Sequence, residues 1–118
     1  MQITHDKKLL IATGSSRKAA QWQNREMLWS EFLEKLARPT RTRETVAEYA
    51  AMGKAERDNV KDIGGFVGGS LNGGRRKANA VTGRDLVTLD FDNIPGWGTD
   101  EIVSRVNAIG CSYAIYST

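Results

Sequence analysis

Seven of the chain's 12 glycines fall between Gly64 and Gly83, mostly as adjacent pairs. Paired glycines permit positive φ and close approach of backbones. The stretch therefore reads as a glycine-rich hairpin or loop over about 64–83, with Leu71-Asn72-Gly73-Gly74 as its tight turn. Its return limb carries Arg75, Arg76 and Lys77. It separates a helical front, about 15–63, from a strand-forming back, about 84–118.

In the front, Leu9 to Thr13 is a short strand candidate closed by Gly14, Ser15 and Ser16. Residues 24–37 carry a helical period: Leu28, Phe32 and Leu36 recur every four, with Trp29 and Leu33 on the same face. Asn24 is the expected cap, Pro39 the stop, and Glu31 with Lys35 an i,i+4 pair. Trp22 and Trp29 could stack on bases, but the place of Trp29 on the apolar stripe favours the core. A second helix is predicted from Glu44 to Met52, capped by Thr42, and a third from Lys54 to Asp62, ending at Gly64-Gly65. Both lack a broad apolar face and read as surface helices packed by one edge.

In the back, Asp85-Leu-Val-Thr-Leu-Asp-Phe-Asp92 is a strand candidate stopped by Asn93, Pro95 and Gly96. Thr99 is the expected cap of a helix from Asp100 to about Ala108, which Gly110 ends. Residues 111–117 read as the next strand. Strand, helix, strand is a βαβ unit, with parallel strands over 86–91 and 112–117. The expected fold is a single α+β domain with α/β-like character over residues 1–118. Its helical N-terminal part would pack on a small mixed sheet containing that βαβ unit.

The length of 118 residues suits one domain, and 40% apolar residues suffice for a core. Apolar runs of only a few residues exclude a membrane-spanning helix. The N-terminus has no long apolar stretch and no small-residue cleavage site, so no secretory signal is read. A single cysteine, Cys111, excludes an internal disulfide framework and reads as a small core residue. A cytoplasmic location is expected. Charge is uneven: residues 1–43 carry a balance of +5, residues 44–83 of +1 and residues 84–118 of −3. A basic front and an acidic back suit a protein that meets phosphates with one part and cations with another, or simply uneven solvation. The last eight residues are uncharged and read as an interior strand, so the chain is expected to be the front of a longer protein. An exposed sheet edge there would recruit a second copy and form a homodimer.

Asp90 and Asp92, two apart on a predicted strand, would face the same way and could converge on one hard divalent cation. Arg75, Arg76 and Lys77 beside glycines resemble a phosphate-gripping loop, or else an ordinary solvated hairpin tip. Arg17, Lys18, Arg41 and Arg43 could extend a phosphate track as nucleic-acid contacts, or form solvated edges. His5, near the start of the chain, receives no catalytic role. An aspartate-nucleophile phosphatase also places Asp-x-Asp at a strand end, but wants a small hydroxyl residue where Ile94 stands.

Several stretches, in order, carry a resemblance: Ile11-Ala-Thr-Gly-Ser-Ser-Arg-Lys18, Trp22-Gln-Asn, Glu26-Met-Leu-Trp-Ser-Glu-Phe32, Thr40-Arg-Thr-Arg-Glu-Thr45, Lys61-Asp-Ile-Gly-Gly-Phe-Val-Gly-Gly69, Gly74-Arg-Arg-Lys77 and Leu89-Asp-Phe-Asp92. Together they resemble the front of the virulence-associated E-type proteins of phages and mobile elements. Those proteins are similar to primase-polymerases of the archaeo-eukaryotic primase superfamily, often joined to a helicase domain. The resemblance implies metal-dependent, template-directed nucleotidyl transfer in DNA replication, with DNA template, primer and nucleoside triphosphates as partners. It implies Asp90 and Asp92 as catalytic metal ligands for Mg²⁺ or Mn²⁺. It also implies that Tyr116-Ser117-Thr118 begins a Ser-x-His-like element, with Ser117 near nucleotide phosphates. On that resemblance, the histidine and a further acid of that centre would lie beyond this sequence. The chain alone is therefore expected to be inactive, to bind the cation weakly, and to stand as half of a catalytic domain. The alternative is a catalytically inactive nucleic-acid-binding or oligomerising fragment.

Overall fold

The computed structural model describes residues 5–92, 94–111 and 113–116. The chain is α+β and forms two compact units, Met1–Val87 and Thr88–Thr118. In the first unit, β1 (Lys8–Gly14) lies between β2 (Gln23–Leu28) and β3 (Gly65–Val67), antiparallel to both. β1 pairs along its length with β2, from Lys8 opposite Leu28 to Thr13 opposite Gln23. β3 covers only Ala12 to Gly14.

The alternation of a strand explains how β1 organises two cores. Leu9 and Ile11 face one side and join Phe32, with Met27, Trp29, Leu36, Phe66 and Leu86 packed around them. Ala12 faces the other side and joins Trp22 and Leu71, with Ala19, Val67 and Val81 packed around them. Burying a side chain such as Ile11, fully inaccessible here, stabilises by roughly 1.5–3 kcal/mol.

Helix α1 (Trp29–Ala37) supplies the first core through Trp29, Phe32 and Leu36, the predicted stripe. Phe32 stacks with Trp29 at 5.9 Å and meets Phe66 edge-on at 5.0 Å. The start of α1 is held by two carboxylates, one from outside the helix and one from its first turn. Asp6 accepts hydrogen bonds from Ser30 N at 2.8 Å and from Ser30 Oγ at 2.6 Å, and Glu31 accepts from Leu28 N at 2.9 Å. These carboxylates satisfy otherwise orphaned donors at the positive end of the helix.

The expected helix from residue 24 thus begins five residues late, because residues 23–28 form β2. β1 is central and its backbone groups need a partner on each side, which outweighs the helical spacing of Leu28 with Phe32. Asn24 is not a helix cap. Its side chain donates to Leu71 O at 2.8 Å and accepts from Leu71 N at 2.9 Å, acting as a short strand toward the second sheet. That sheet pairs β4 (Gly69–Leu71) antiparallel with β5 (Val81–Arg84), with a bulge between Ser70 and Leu71.

Helices α2 (Val46–Ala51) and α3 (Lys54–Lys61) contain no buried residue and lie on the surface. The cap of α2 is Thr45, whose Oγ1 accepts from Glu48 N at 3.1 Å, rather than Thr42. Gly64 follows α3 with φ 97°, the left-handed region that glycine enters without penalty.

In the second unit, α4 spans Thr99–Ala108, with Gly98 rather than Thr99 at its cap position. The Arg105 guanidinium lies 4.1 Å from the Trp97 ring centre and bonds Glu101 at 2.7 Å, and Gly110 follows the helix with φ 76°. Here the βαβ expectation requires correction. Among the described residues, 85–92 and 113–116 carry no strand and every strand pair is antiparallel. Asp85 N and Leu86 N both donate to Gly68 O at 2.9 Å, and Leu86 enters the first core. Beyond them Val87 is 82% exposed and Leu89 64%. Strand-forming side chains do not make a strand when no neighbour accepts their backbone bonds. Cys111 is exposed rather than a core residue, and residues 113–116 after it carry no strand to bury it. Ser112 and Asn93 lie outside the described residues. No helix among the described residues is long and apolar enough to cross a membrane.

Candidate functional site

The loop after β1 contains Ser16, Arg17 and Lys18. Its donors already hold an anion, the carboxylate of Asp62 at the end of α3. Asp62 accepts from Ser16 Oγ and from Arg17 N at 2.8 Å. Lys18 N donates to Ser16 Oγ at 3.1 Å, and Lys18 Nζ reaches Asn59 Oδ1 at 3.1 Å. The Ser16 hydroxyl and the Arg17 backbone amide are therefore already occupied by the Asp62 carboxylate.

The Ser16 hydrogen bond, then that of Arg17 N, holds the Asp62 carboxyl below its ordinary value, with the charges of Arg17 and Lys18 adding less. A depressed folded-state value means stability that is full above the unfolded value of about 3.9 and lost as pH falls through the folded one. Asp62→Asn should accordingly be less stable than the parent at neutral pH. The difference should close in strong acid. Urea midpoints of both proteins across an acid series measure this, and a gap that stays constant with pH would exclude the ionised latch.

The basic turn is docked on the same loop. Trp22 N donates to Gly74 O at 2.7 Å, Arg76 N to Ala20 O at 3.0 Å, and Gln21 Nε2 to Gly73 O at 2.7 Å. Gly73 and Gly74 have φ of 62° and 72°, and a Cβ on Gly74 would strike Trp22 O, so the turn requires glycine there. Arg75 forms an isolated bridge with Gln21. The Arg76 guanidinium donates to Arg17 O at 2.7 Å and lies 5.0 Å from the Trp22 ring centre. Arg76 and Arg17, 59 residues apart, are thus neighbours. Trp22 is only 5% exposed and bonds Ala19 O through its indole nitrogen at 3.0 Å, so it is a core residue and not a stacking platform.

Arg41 and Arg43 are exposed in the segment between α1 and α2. Among the described residues no hydrogen bond or ion pair joins them to the loop of Arg17. Lys77 and Arg84 border a groove beside Arg76. Arg84 has no place in the sequence-derived site, although its position just past the glycine-rich hairpin marks it as a further cation on the return limb. Asp62 and Asp85 carry no local signal of their roles. Asp85 accepts from Leu10 N at 2.6 Å on the part of β1 that β3 leaves uncovered.

Asp90 and Asp92 are exposed, and neither is in an ion pair among the described residues. Because their segment is not a strand, strand alternation does not set their directions. Carboxylate oxygens are the donors that Mg²⁺ and Mn²⁺ prefer, so the residues fit in kind. They fit as a partial set: no group of three or more His, Cys, Asp or Glu residues is placed for a metal among the described residues. Ser117 lies outside the described residues.

No curated protein and no solved structure matches the chain. The glycine turn, the basic loop docked on it and the acidic segment that follows lie within one family match, which runs from residue 1 to residue 118, and the chain belongs to that family, the VapE N-terminal domain.

Proposed function

We propose that this domain is the front part of a phage or mobile-element replication protein that carries out metal-dependent, template-directed nucleotidyl transfer in the cytoplasm. Its partners are DNA template and primer and nucleoside triphosphates, with a helicase domain joined in the parent. The observation that carries the reading is the pair Asp90 and Asp92, exposed and outside any ion pair among the described residues, in a family-matched chain whose basic loop and turn bring Arg17 beside Arg76. Asp90 and Asp92 would hold Mg²⁺ or Mn²⁺, and Arg75, Arg76, Lys77 and Ser117 would contact phosphates. Arg17, Lys18, Arg41 and Arg43 would follow the nucleic-acid backbone. The cation, when bound, supplies charge neutralisation at the reacting phosphate and lowers the pKa of the attacking hydroxyl.

The test is primer synthesis by the full-length protein carrying Asp90→Asn and Asp92→Asn. Activity should fall by at least about a hundredfold, since even outer-shell partners of a metal act on that scale. The circular dichroism spectrum should stay unchanged. In this domain alone, Mn²⁺ should broaden amide resonances at residues 89–92 selectively, and weakly, because two carboxylates leave most of the coordination shell to water. Full activity of the double variant overturns the catalytic role. A second reading, a nucleic-acid-binding domain without chemistry of its own, is favoured by the basic loop and turn that bring Arg17 beside Arg76.

A further inference from the structure

A groove of about 290 Å³ lies in the first unit, lined by Val67, Leu71, Ala78 and Val81 with Arg76, Lys77 and Arg84 at its border. No carboxylate lines it. Among the described residues none of its three cations takes part in an ion pair. Three like charges bordering one groove repel each other, and an anion seated among them relieves that repulsion. Arg76 is already held in place by Arg17 O and the Trp22 face, which leaves most of its five donors for a ligand.

Leu71 is buried, while Val67 and Val81 are half-buried, so an apolar floor lies beside the cations. Cations alone would suit any phosphate. Cations beside an apolar floor suit a phosphate carried next to an unstacked base or a sugar face. A duplex offers no unstacked base face to such a groove, because its bases are stacked inside. A free mononucleotide would be poorly enclosed, since tight small-molecule sites bury most of their ligand. A strand can run past the groove, and Arg76 links it directly to Arg17.

We propose that this groove is one position of a single-stranded nucleic-acid path, with Arg84 and Lys77 on the phosphates and Val67, Leu71 and Val81 under a base or sugar. The proposal rests on the nucleic-acid reading above, but not on Asp90 or Asp92.

Fluorescence anisotropy of a labelled oligothymidylate with this protein tests it. Arg84→Ala should weaken binding about fivefold to tenfold and flatten the salt dependence, as loss of one phosphate contact does. Ala78→Asp places a carboxylate in the groove at an exposed position that tolerates it, and should weaken binding at least as much. Lys35→Ala removes the same charge from α1, on the other face of the sheet, and should leave binding unchanged. The single strand should bind more tightly than the duplex, and EDTA should have no effect. Equal losses in Arg84→Ala and Lys35→Ala, or duplex binding as tight as single-strand binding, would each overturn the proposal. Loss of the groove with primer synthesis intact leaves the catalytic reading standing. Strand binding without any synthesis leaves the groove standing alone.

Discussion

Trp22→Ala should destabilise the protein by about 3–5 kcal/mol, the scale for removing a buried indole. Trp22, Ala12 and Leu71 form one of the two cores, and Trp22 is the bulk of it. A domain of this kind has about 5–15 kcal/mol in total, so the loss is a large share. The substitution also removes the hydrogen bond to Ala19 O and the face beneath Arg76. Urea unfolding followed by circular dichroism measures the loss. Trp22→Phe keeps most of the apolar volume and should fall between the two. A loss below about 1 kcal/mol in Trp22→Ala, within the range of an ordinary surface change, would show that the second core contributes little.

Gly14→Ala should cost about 1–3 kcal/mol, although it adds a single methyl group. A Cβ at Gly14 would overlap the Trp22 indole, so either the ring or the end of β1 must move. The cost therefore belongs to the pair. In a Trp22→Ala background the methyl group enters the space the ring has left, and the penalty should largely disappear. Urea midpoints of the parent, both single variants and the double variant complete the cycle, and contacting residues typically couple by about 0.5–3 kcal/mol. Equal costs in both backgrounds would place the cause in the backbone of β1 and not in the indole.

Those two residues show why parts of the fold were legible. Leu9 to Thr13 is a short, mostly apolar run closed by Gly14 and two serines, and Trp29, Phe32 and Leu36 recur at helical spacing, so β1 and the body of α1 could be read from the chain. The paired glycines announced the turn at Gly73 and Gly74. β2 was not legible, because Gln23 to Glu26 are exposed and polar, and only the need of β1 for a partner makes them a strand. Residues 86–91 were misread for the converse reason: their side chains favour a strand, but among the described residues no neighbour pairs with them.

The candidate site divides along the same line. The clustering of Arg75, Arg76 and Lys77, the spacing of Asp90 and Asp92, and the basic front against the acidic back are properties of composition and order. They hold whatever the chain folds into. That Arg76 meets Arg17, that Asp62 fills the loop of Ser16, and that Asp85 closes the edge at Leu10 are tertiary results. These contacts join residues 59, 46 and 75 positions apart. Hydrogen bonds across such separations leave no periodicity in the chain, because they depend on where two packed cores bring the backbone together.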